Sequence, residues 1–156
     1  MVLNTNHYGP VPPNWHRASI ETELELPFFV SSIPAGFPSP ADDYIDLKLD
    51  LNKLVVANPM ATYYVRVSGD SMIDDDIHDG NILVVDRSLT AQPGDVVICC
   101  VDGEFTVKRW QRAGRMIVLL PSNPDYEPQY VHPGQKFEIW GVVTFSIRNL
   151  RRRGNG

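Results

Sequence analysis

The amino-acid sequence predicts a mostly β protein: a compact domain of small, barrel-like antiparallel sheets, with short N-terminal helices and an extended N-terminal arm. From Ala61 onward, six short segments are rich in β-branched and aromatic residues, which favour strands. Turn signals containing Gly or Pro separate them, and the spacings leave no room for crossover helices, so an antiparallel arrangement follows. The six segments are TYYVRV (62–67), NILVVD (81–86), DVVICCV (95–101), EFTVKRW (104–110), MIVLL (116–120) and KFEIWGVVTF (136–145).

Among the turns between these segments, Asp102-Gly103 carries the clearest signal. Two strand-like segments flank this pair directly, which is typical of a two-residue β-hairpin.

Residues 1–35 form a segment of different character at the start of the chain. Five prolines interrupt any periodicity there, and Arg17 is accompanied by three glutamates. Such a segment cannot build its own core, so we expect an extended arm. Its apolar residues between 24 and 33 predict packing along the body or along another subunit. The rest of the chain divides into a β domain over 36–147 and a basic, flexible tail over 148–156.

Helix signals follow the arm in two places. Ser39 can cap a helix that has Pro40 at its first position, and acidic residues follow it. A second short helix is expected to begin at Asp50, to carry an apolar face through Val55 and to end before Pro59.

Composition excludes several classes of protein. The 156 residues suit one domain with a real core, and the net charge of −5 argues against a general nucleic-acid coat. No apolar run approaches the roughly 18 residues of a membrane span, and no basic start precedes an apolar stretch, so neither an anchor nor a secretory signal is expected. Cys99 and Cys100 are adjacent and would point to opposite faces of a strand, which predicts free thiols and a cytoplasmic location.

Two segments could carry chemistry. The motif SGDSM (68–72) follows a predicted strand, and a serine leaving a strand through a glycine turn can expose its hydroxyl beside a free backbone N–H, as a nucleophile requires. In EFTVKRW, the two-residue period of a strand places Thr106 and Lys108 on one face. Lys108 could be an exposed edge-strand lysine, or burial could lower its pKa so that it acts as a neutral base.

Other candidate sites fit poorly. The acidic run 74–80 matches a calcium loop badly, because aligning Gly80 with the loop glycine places Ile77 where an oxygen ligand is needed. The four histidines lack the spacing of a metal site. A triad of Ser71 and His78 with an aspartate is not excluded by the sequence, although His78 in a polar turn is more typical of a surface residue.

Taken together, these motifs resemble the UmuD/MucA branch of the LexA-type self-cleaving serine proteins, the peptidase S24 family. The resemblance runs from about Ile33 to Val143 and rests on motifs that recur in order. These are AGFPSPADDY, SGDSM, IHDGNILVVDRSLTA, GDVV, GEFTVKRW and EIWGVV.

The resemblance implies the LexA/UmuD-type β fold and a specific site. It places the nucleophile on Ser71, the general base on Lys108 and the bond to be cut between Ala35 and Gly36. The backbone N–H groups of Ser71 and Asp70 would stabilise the oxyanion, and no metal or cofactor is implied.

The resemblance also implies a role in the SOS response to DNA damage. Cleavage would be stimulated by a RecA filament on single-stranded DNA. The shortened product, residues 36–156, would then serve as a subunit of a UmuC-type error-prone (Y-family) polymerase in translesion synthesis. A homodimer is implied, whereas sequence-specific DNA binding and membrane association are not.

Two alternatives use the same fold. One is a fragment of a LexA-like or phage-type repressor, which needs a DNA-binding domain that 35 proline-interrupted residues cannot supply. The other is an interaction module that does not cleave itself, and the presence of both Ser71 and Lys108 argues against it. The sequence leaves open whether the arm would be cut by its own subunit or by its dimer partner.

Overall fold

The structure, a computed structural model, describes residues 15–29, 35–37 and 45–151. Strands dominate the described part, together with one short α-helix and a 3₁₀ turn at Ile73–Asp75. The elements are β1 (His16–Arg17), β2 (Glu25–Phe29), β3 (Ile45–Asp50), α1 (Leu51–Val55), β4 (Thr62–Arg66), β5 (Ile82–Asp86), β6 (Val96–Val101), β7 (Glu104–Ala113), β8 (Met116–Leu120), β9 (Gln129–Val131) and β10 (Phe137–Ile147).

The predicted antiparallel β architecture is confirmed. Eight strands form one sheet in the order β1-β4-β5-β10-β6-β7-β8-β9, and β2 and β3 form a separate two-stranded sheet. Every pairing in both sheets is antiparallel. All six predicted segments are strands, whereas β1, β2, β3 and β9 were not predicted.

The β6–β7 hairpin turns at the predicted dipeptide. Val101 pairs with Glu104, which leaves Asp102 and Gly103 as the two turn residues. Their φ angles are +50° and +92°, the left-handed values that a two-residue turn of this kind needs at both positions. The hairpin thereby sets the register of β7 and brings Lys108 opposite Val97.

Among the described residues, the two largest apolar clusters lie on opposite faces of the large sheet near β6, and a smaller third cluster includes Val55 and Val84. The alternation along β6 explains the division, since Ile98 belongs to one cluster and Val97 and Cys99 to the other. Cys99 is fully buried, Cys100 is partly exposed, and both thiols are free, as predicted. The first cluster also holds Tyr63, Val65, Met72, Ile77, Leu83, Val85 and Trp140, and the second also holds Val101, Trp110, Leu119, Val131 and Val142.

The predicted second helix is confirmed as α1. The Asp50 side chain accepts a hydrogen bond from the Asn52 backbone N–H at 2.9 Å, which caps the first turn. The helix ends at Val55, whose side chain is buried. The helix predicted at Ser39 and Pro40 lies outside the described residues.

Where the arm is described, strand pairing holds it to the body. β1 pairs with β4 at the edge of the large sheet, and β2 pairs with β3. The side chains of Leu24, Leu26 and Phe28 are 42–61% exposed in the single chain, so their burial against this body is slight. In the described part, β10 ends at Ile147 before the basic tail. Within the described ranges, no helix is long and apolar enough to cross a membrane.

Gly141 is expected to resist enlargement. An added Cβ would lie 2.6 Å from Val85 Cγ1 and 3.4 Å from the Asp86 carbonyl oxygen, at a point where the register between β10 and β6 shifts. Gly141→Ala should therefore lower the free energy of unfolding by about 1–3 kcal/mol, as measured by urea denaturation. Gly36→Ala, where nothing lies within 4 Å of the added atom, is the control. Equal stability of the two variants would contradict this packing.

Candidate active site

The SGDSM segment forms a turn between β4 and the 3₁₀ turn. Gly69 has a φ of +90°, a left-handed conformation that disfavours side chains, and its N–H donates to Asp79 Oδ1 at 2.8 Å. Met72 is buried in the first core cluster and anchors the other end of the turn. Ser71 stands between these anchors and is partly exposed.

A loop 50 residues further along the chain braces the same turn. The Ser122 backbone N–H donates to the Ser71 carbonyl oxygen at 2.8 Å, and Asn123 Nδ2 donates to the Asp70 carbonyl oxygen at 3.0 Å. The Tyr126 hydroxyl donates to Asp70 Oδ1 at 2.5 Å. This contact raises the pKa of the tyrosine, because the proton is held between the two groups. No local sequence pattern links this loop to Ser71, so its contacts were not predicted.

Lys108 lies on β7 with its amine against the Ser71 hydroxyl. Its Nζ is 2.8 Å from Ser71 Oγ, 3.1 Å from Thr106 Oγ1 and 2.9 Å from the Val107 carbonyl oxygen. A neutral amine has two N–H groups and one lone pair, so it could donate to Thr106 and Val107 and accept the Ser71 proton. Thr106 and Lys108 thus lie on the same face of β7, as predicted, and the Thr106 hydroxyl contacts the Lys108 amine.

Burial shifts the pKa values of this amine and of a nearby thiol. Desolvation lowers the pKa of Lys108, because the charged form loses water that its neighbours only partly replace. Burial also raises the pKa of the nearby Cys99 thiol to about 11, so this thiol stays neutral at physiological pH. A thiolate at Cys99 would raise the pKa of Lys108. Because the Cys99 thiol is neutral, it does not have this effect.

Backbone donors are available beside the Ser71 hydroxyl. Within the part of the chain that the structure describes, the N–H groups of Asp70 and Ser71 donate no hydrogen bond. The turn therefore presents two unused donors next to Ser71 Oγ, the combination that an oxyanion needs. A cavity of about 220 Å³ adjoins them, and Val65, Ile98 and Phe105 contribute to its wall.

An ion pair that no sequence pattern predicted connects the segment after Ser71 to strand β7. Asp75, in the 3₁₀ turn after Ser71, lies 2.7 Å from Arg109 Nη2, next to Lys108 on β7. Arg109 also donates to the Gly94 carbonyl oxygen. The pair is partly buried and joins the segment of the serine to the strand of the lysine.

The remaining candidates lie elsewhere. Ala35 and Gly36 are exposed in the connection between β2 and β3, and no hydrogen bond joins these two residues to Ser71 or Lys108. His78 Nε2 is 2.8 Å from Arg148 Nη1 and 3.9 Å from Asp76 Oδ1, so its neighbours are not those of a triad with Ser71. Among the described residues, no group of three or more His, Cys, Asp or Glu side chains could hold a metal ion.

A family profile and several known proteins match most of the chain. The sequence profile described as "Peptidase S24-like" matches residues 27–144. The protein MucA of Salmonella typhimurium is 50% identical over 123 residues, which cover 78% of this chain and 84% of MucA. The protein SamA of the same species, strain LT2, is 47% identical over 125 residues (80% and 86% of the two chains). The protein ImpA of Salmonella typhimurium is 38% identical over 149 residues (96% and 98%).

Lys108 should lose its proton at a lower pH than Lys53. Burial lowers the pKa of Lys108, whereas hydrogen bonding and charge attraction from Glu23 raise the pKa of Lys53, both relative to 10.5. A pH titration of the lysine side-chain NMR signals, assigned with Lys→Arg variants, should therefore give Lys108 the lower midpoint. Coincident midpoints, or the reverse order, would show that Lys108 is not desolvated.

Proposed function

The chain belongs to the peptidase S24-like family, in its UmuD/MucA-like branch, and we propose that it is a serine endopeptidase that cuts its own arm between Ala35 and Gly36. The observation that carries this proposal is the 2.8 Å contact between Lys108 Nζ and Ser71 Oγ. It joins a hydroxyl with unused backbone donors beside it to an amine whose pKa is lowered by burial. These are the groups that acyl transfer requires.

The first chemical step forms an acyl-enzyme. Neutral Lys108 takes the proton of the Ser71 hydroxyl as its oxygen attacks the carbonyl carbon of Ala35. The backbone N–H groups of Asp70 and Ser71 stabilise the resulting oxyanion. The C–N bond then breaks, and Lys108 returns the proton to the leaving amine of Gly36.

The second step restores the enzyme. Lys108, again neutral, takes a proton from water, and the resulting hydroxide attacks the ester between Ser71 and Ala35. The serine oxygen leaves and regains the proton from Lys108. The products are an arm fragment, residues 1–35, and a body, residues 36–156, and the same amine serves as base and acid throughout.

The position of Ala35-Gly36 suits a substrate in the same chain. The bond lies in the connection between β2 and β3, and its two residues are exposed and small. Tethering lowers the entropic cost of bringing the bond to Ser71, so cleavage need not be fast to be effective. We leave open whether the bond reaches Ser71 of its own subunit or Ser71 of a dimer partner.

The branch to which the chain belongs supports a wider role. We place the protein in the cytoplasm as a homodimeric accessory subunit of SOS mutagenesis. A RecA filament on single-stranded DNA stimulates the cut, and the 36–156 product joins a UmuC-type error-prone polymerase. The resemblance of the motifs and the identity with MucA, SamA and ImpA support this role.

Self-cleavage should rise with pH until Lys108 is neutral. Intact-mass measurement after incubation at neutral and alkaline pH should show the 36–156 fragment, with a rate that grows about tenfold per pH unit and levels off below pH 10.5. The plateau lies below that value because burial lowers the pKa of Lys108. Ser71→Ala should abolish the cut, and Lys108→Ala should slow it by about 10²–10⁴-fold.

Matched controls make this test specific. Ser68→Ala removes another hydroxyl of the same turn, and Lys136→Ala removes an exposed lysine, so both should cleave at the parent rate. RecA filaments should accelerate the cut at neutral pH. An intact mass that never changes, with RecA filaments and at alkaline pH alike, would overturn the proposal and favour a non-cleaving interaction module.

Thr106 is expected to orient the Lys108 amine. Its hydroxyl lies 3.1 Å from Nζ, so Thr106→Val removes an acceptor that holds the amine and favours its charged form. The plateau rate of cleavage should fall by about 10–100-fold. The pH midpoint should shift to a lower value, because the pKa of Lys108 decreases further.

Two variants serve as controls for this prediction. Thr106→Ser keeps the acceptor and should restore both the rate and the midpoint. Thr144→Val removes a hydroxyl that donates to the Val84 carbonyl oxygen at 3.3 Å, and it should leave both quantities unchanged. A parent-like profile in Thr106→Val would assign Thr106 no role in cleavage.

A further inference from the structure

The start of the arm occupies an aromatic site on the body. Trp15 packs edge-on against Trp140, with ring centroids 4.0 Å apart, and lies 5.2 Å from Phe105. It also forms part of the wall of the cavity that Ser71 faces. Trp15 lies before residues 27–144, which match the family profile, so it is a feature of the chain outside that match.

The residues after Trp15 add a strand to the sheet. In β1, His16 pairs with Tyr64 and Arg17 with Tyr63, both on β4. The Arg17 guanidinium donates to the Tyr63 hydroxyl at 3.1 Å and lies 5.6 Å from that ring's centre. Short strands that pair with a sheet edge gain affinity from backbone hydrogen bonds and specificity from alternate side chains.

Ala18 completes this contact. Its N–H donates to the Thr62 carbonyl oxygen at 2.9 Å, and its side chain is buried with Val55, Val56 and Val84. The segment 15–18 therefore places one aromatic ring, one guanidinium and one methyl group at separate positions on the body. We refer to the surface that receives it, the β4 edge with Phe105 and Trp140, as the arm site.

A second contact lies nearer the proposed cut. β2 pairs with β3 from Glu25 opposite Asp50 to Phe29 opposite Ile45. The Leu24 N–H donates to Asp50 Oδ2 at 3.2 Å. All of these interactions join residues before position 35 to residues after position 36, so breaking the Ala35–Gly36 bond removes none of them.

We propose that the arm site binds segment 15–18 as a peptide ligand and retains the 1–35 fragment on the body after cleavage. The proposal rests on the self-cleavage proposed above, because a fragment exists to be retained only after the chain has been cut. It separates two events: the cut frees Gly36, and the surfaces under the arm are uncovered only when the fragment leaves. The cleaved protein keeps Trp15 in the wall of the cavity beside Ser71 until the fragment leaves.

Charge does not drive this retention. The arm carries one Arg and three Glu, which gives −2, and subtraction from −5 leaves −3 on residues 36–156. Both pieces are negative, so their mean electrostatic interaction is repulsive and weakens with salt. The ion pair between Glu23 and Lys53 also joins the arm to the body, but both side chains are exposed and such pairs contribute little. Aromatic packing and strand pairing are therefore the main source of the affinity. We expect the fragment to stay bound at least as strongly in about 0.5 M salt as in dilute buffer, because salt screens exposed charges.

The test uses the full chain with the proposed nucleophile removed. In the Ser71→Ala chain, the recognition sequence of a site-specific protease is inserted between Ala35 and Gly36, and the added protease makes the cut. Mass measurement under denaturing conditions verifies two pieces. Native mass spectrometry and size-exclusion chromatography then report whether the pieces remain together, and Trp15→Ala is compared in the same background.

The parent fragments should co-elute, and Trp15→Ala should release the arm fragment at least about tenfold faster, because the aromatic packing against Trp140 is lost. Ile20→Ala, an exposed residue on the same arm, is the matched control and should retain the fragment like the parent.

Two results would overturn the proposal. The parent pieces could separate as soon as the protease has cut them, or Trp15→Ala could retain the fragment as long as the parent does. Since the added protease makes the cut, the outcome does not depend on self-cleavage. A failure of the proposed function therefore shows in the pH experiment, and a failure of retention shows in this one.

Discussion

The contact between Lys108 Nζ and Ser71 Oγ is the interaction on which the site depends, and it requires a lysine to be removed from water. A buried ammonium without enough partners is unfavourable, so burial shifts the amine toward its neutral form. Thr106 and the Val107 carbonyl supply two acceptors, and the serine hydroxyl is the third neighbour. The same environment that lowers the pKa thus aligns the amine with the proton that it would remove.

The rest of the architecture holds the two partners of this contact in place. The two-residue turn at Asp102-Gly103 sets the register of β7, which carries Lys108. Ser71 is positioned from elsewhere, by the buried Met72 and by the loop that includes Ser122. The two partners are therefore held by different segments of the chain, which meet at the same apolar cluster through Met72 and Val107.

The arm relates to this site in two distinct ways. Its Ala35-Gly36 bond joins two exposed residues. Its beginning, by contrast, is held by Trp15 and by pairing with β4. In the proposed cycle, a segment that is anchored at its start presents the exposed Ala35-Gly36 bond while it remains attached, so cutting and release are separate events.

The sequence by itself determined the six principal strands, the hairpin turn and the start of α1 at Asp50, because alternation, turn residues and caps act over a few neighbouring residues. Its motifs also indicated Ser71 and Lys108. Only the tertiary structure decided that these two side chains meet, that Asp75 pairs with Arg109, and that Trp15 lies against Trp140. These contacts join residues that lie 34–125 positions apart in the sequence. A strand as short as β1 has too few residues to show a recognisable strand pattern. Their partners are selected by strand order and core packing, which no local pattern encodes.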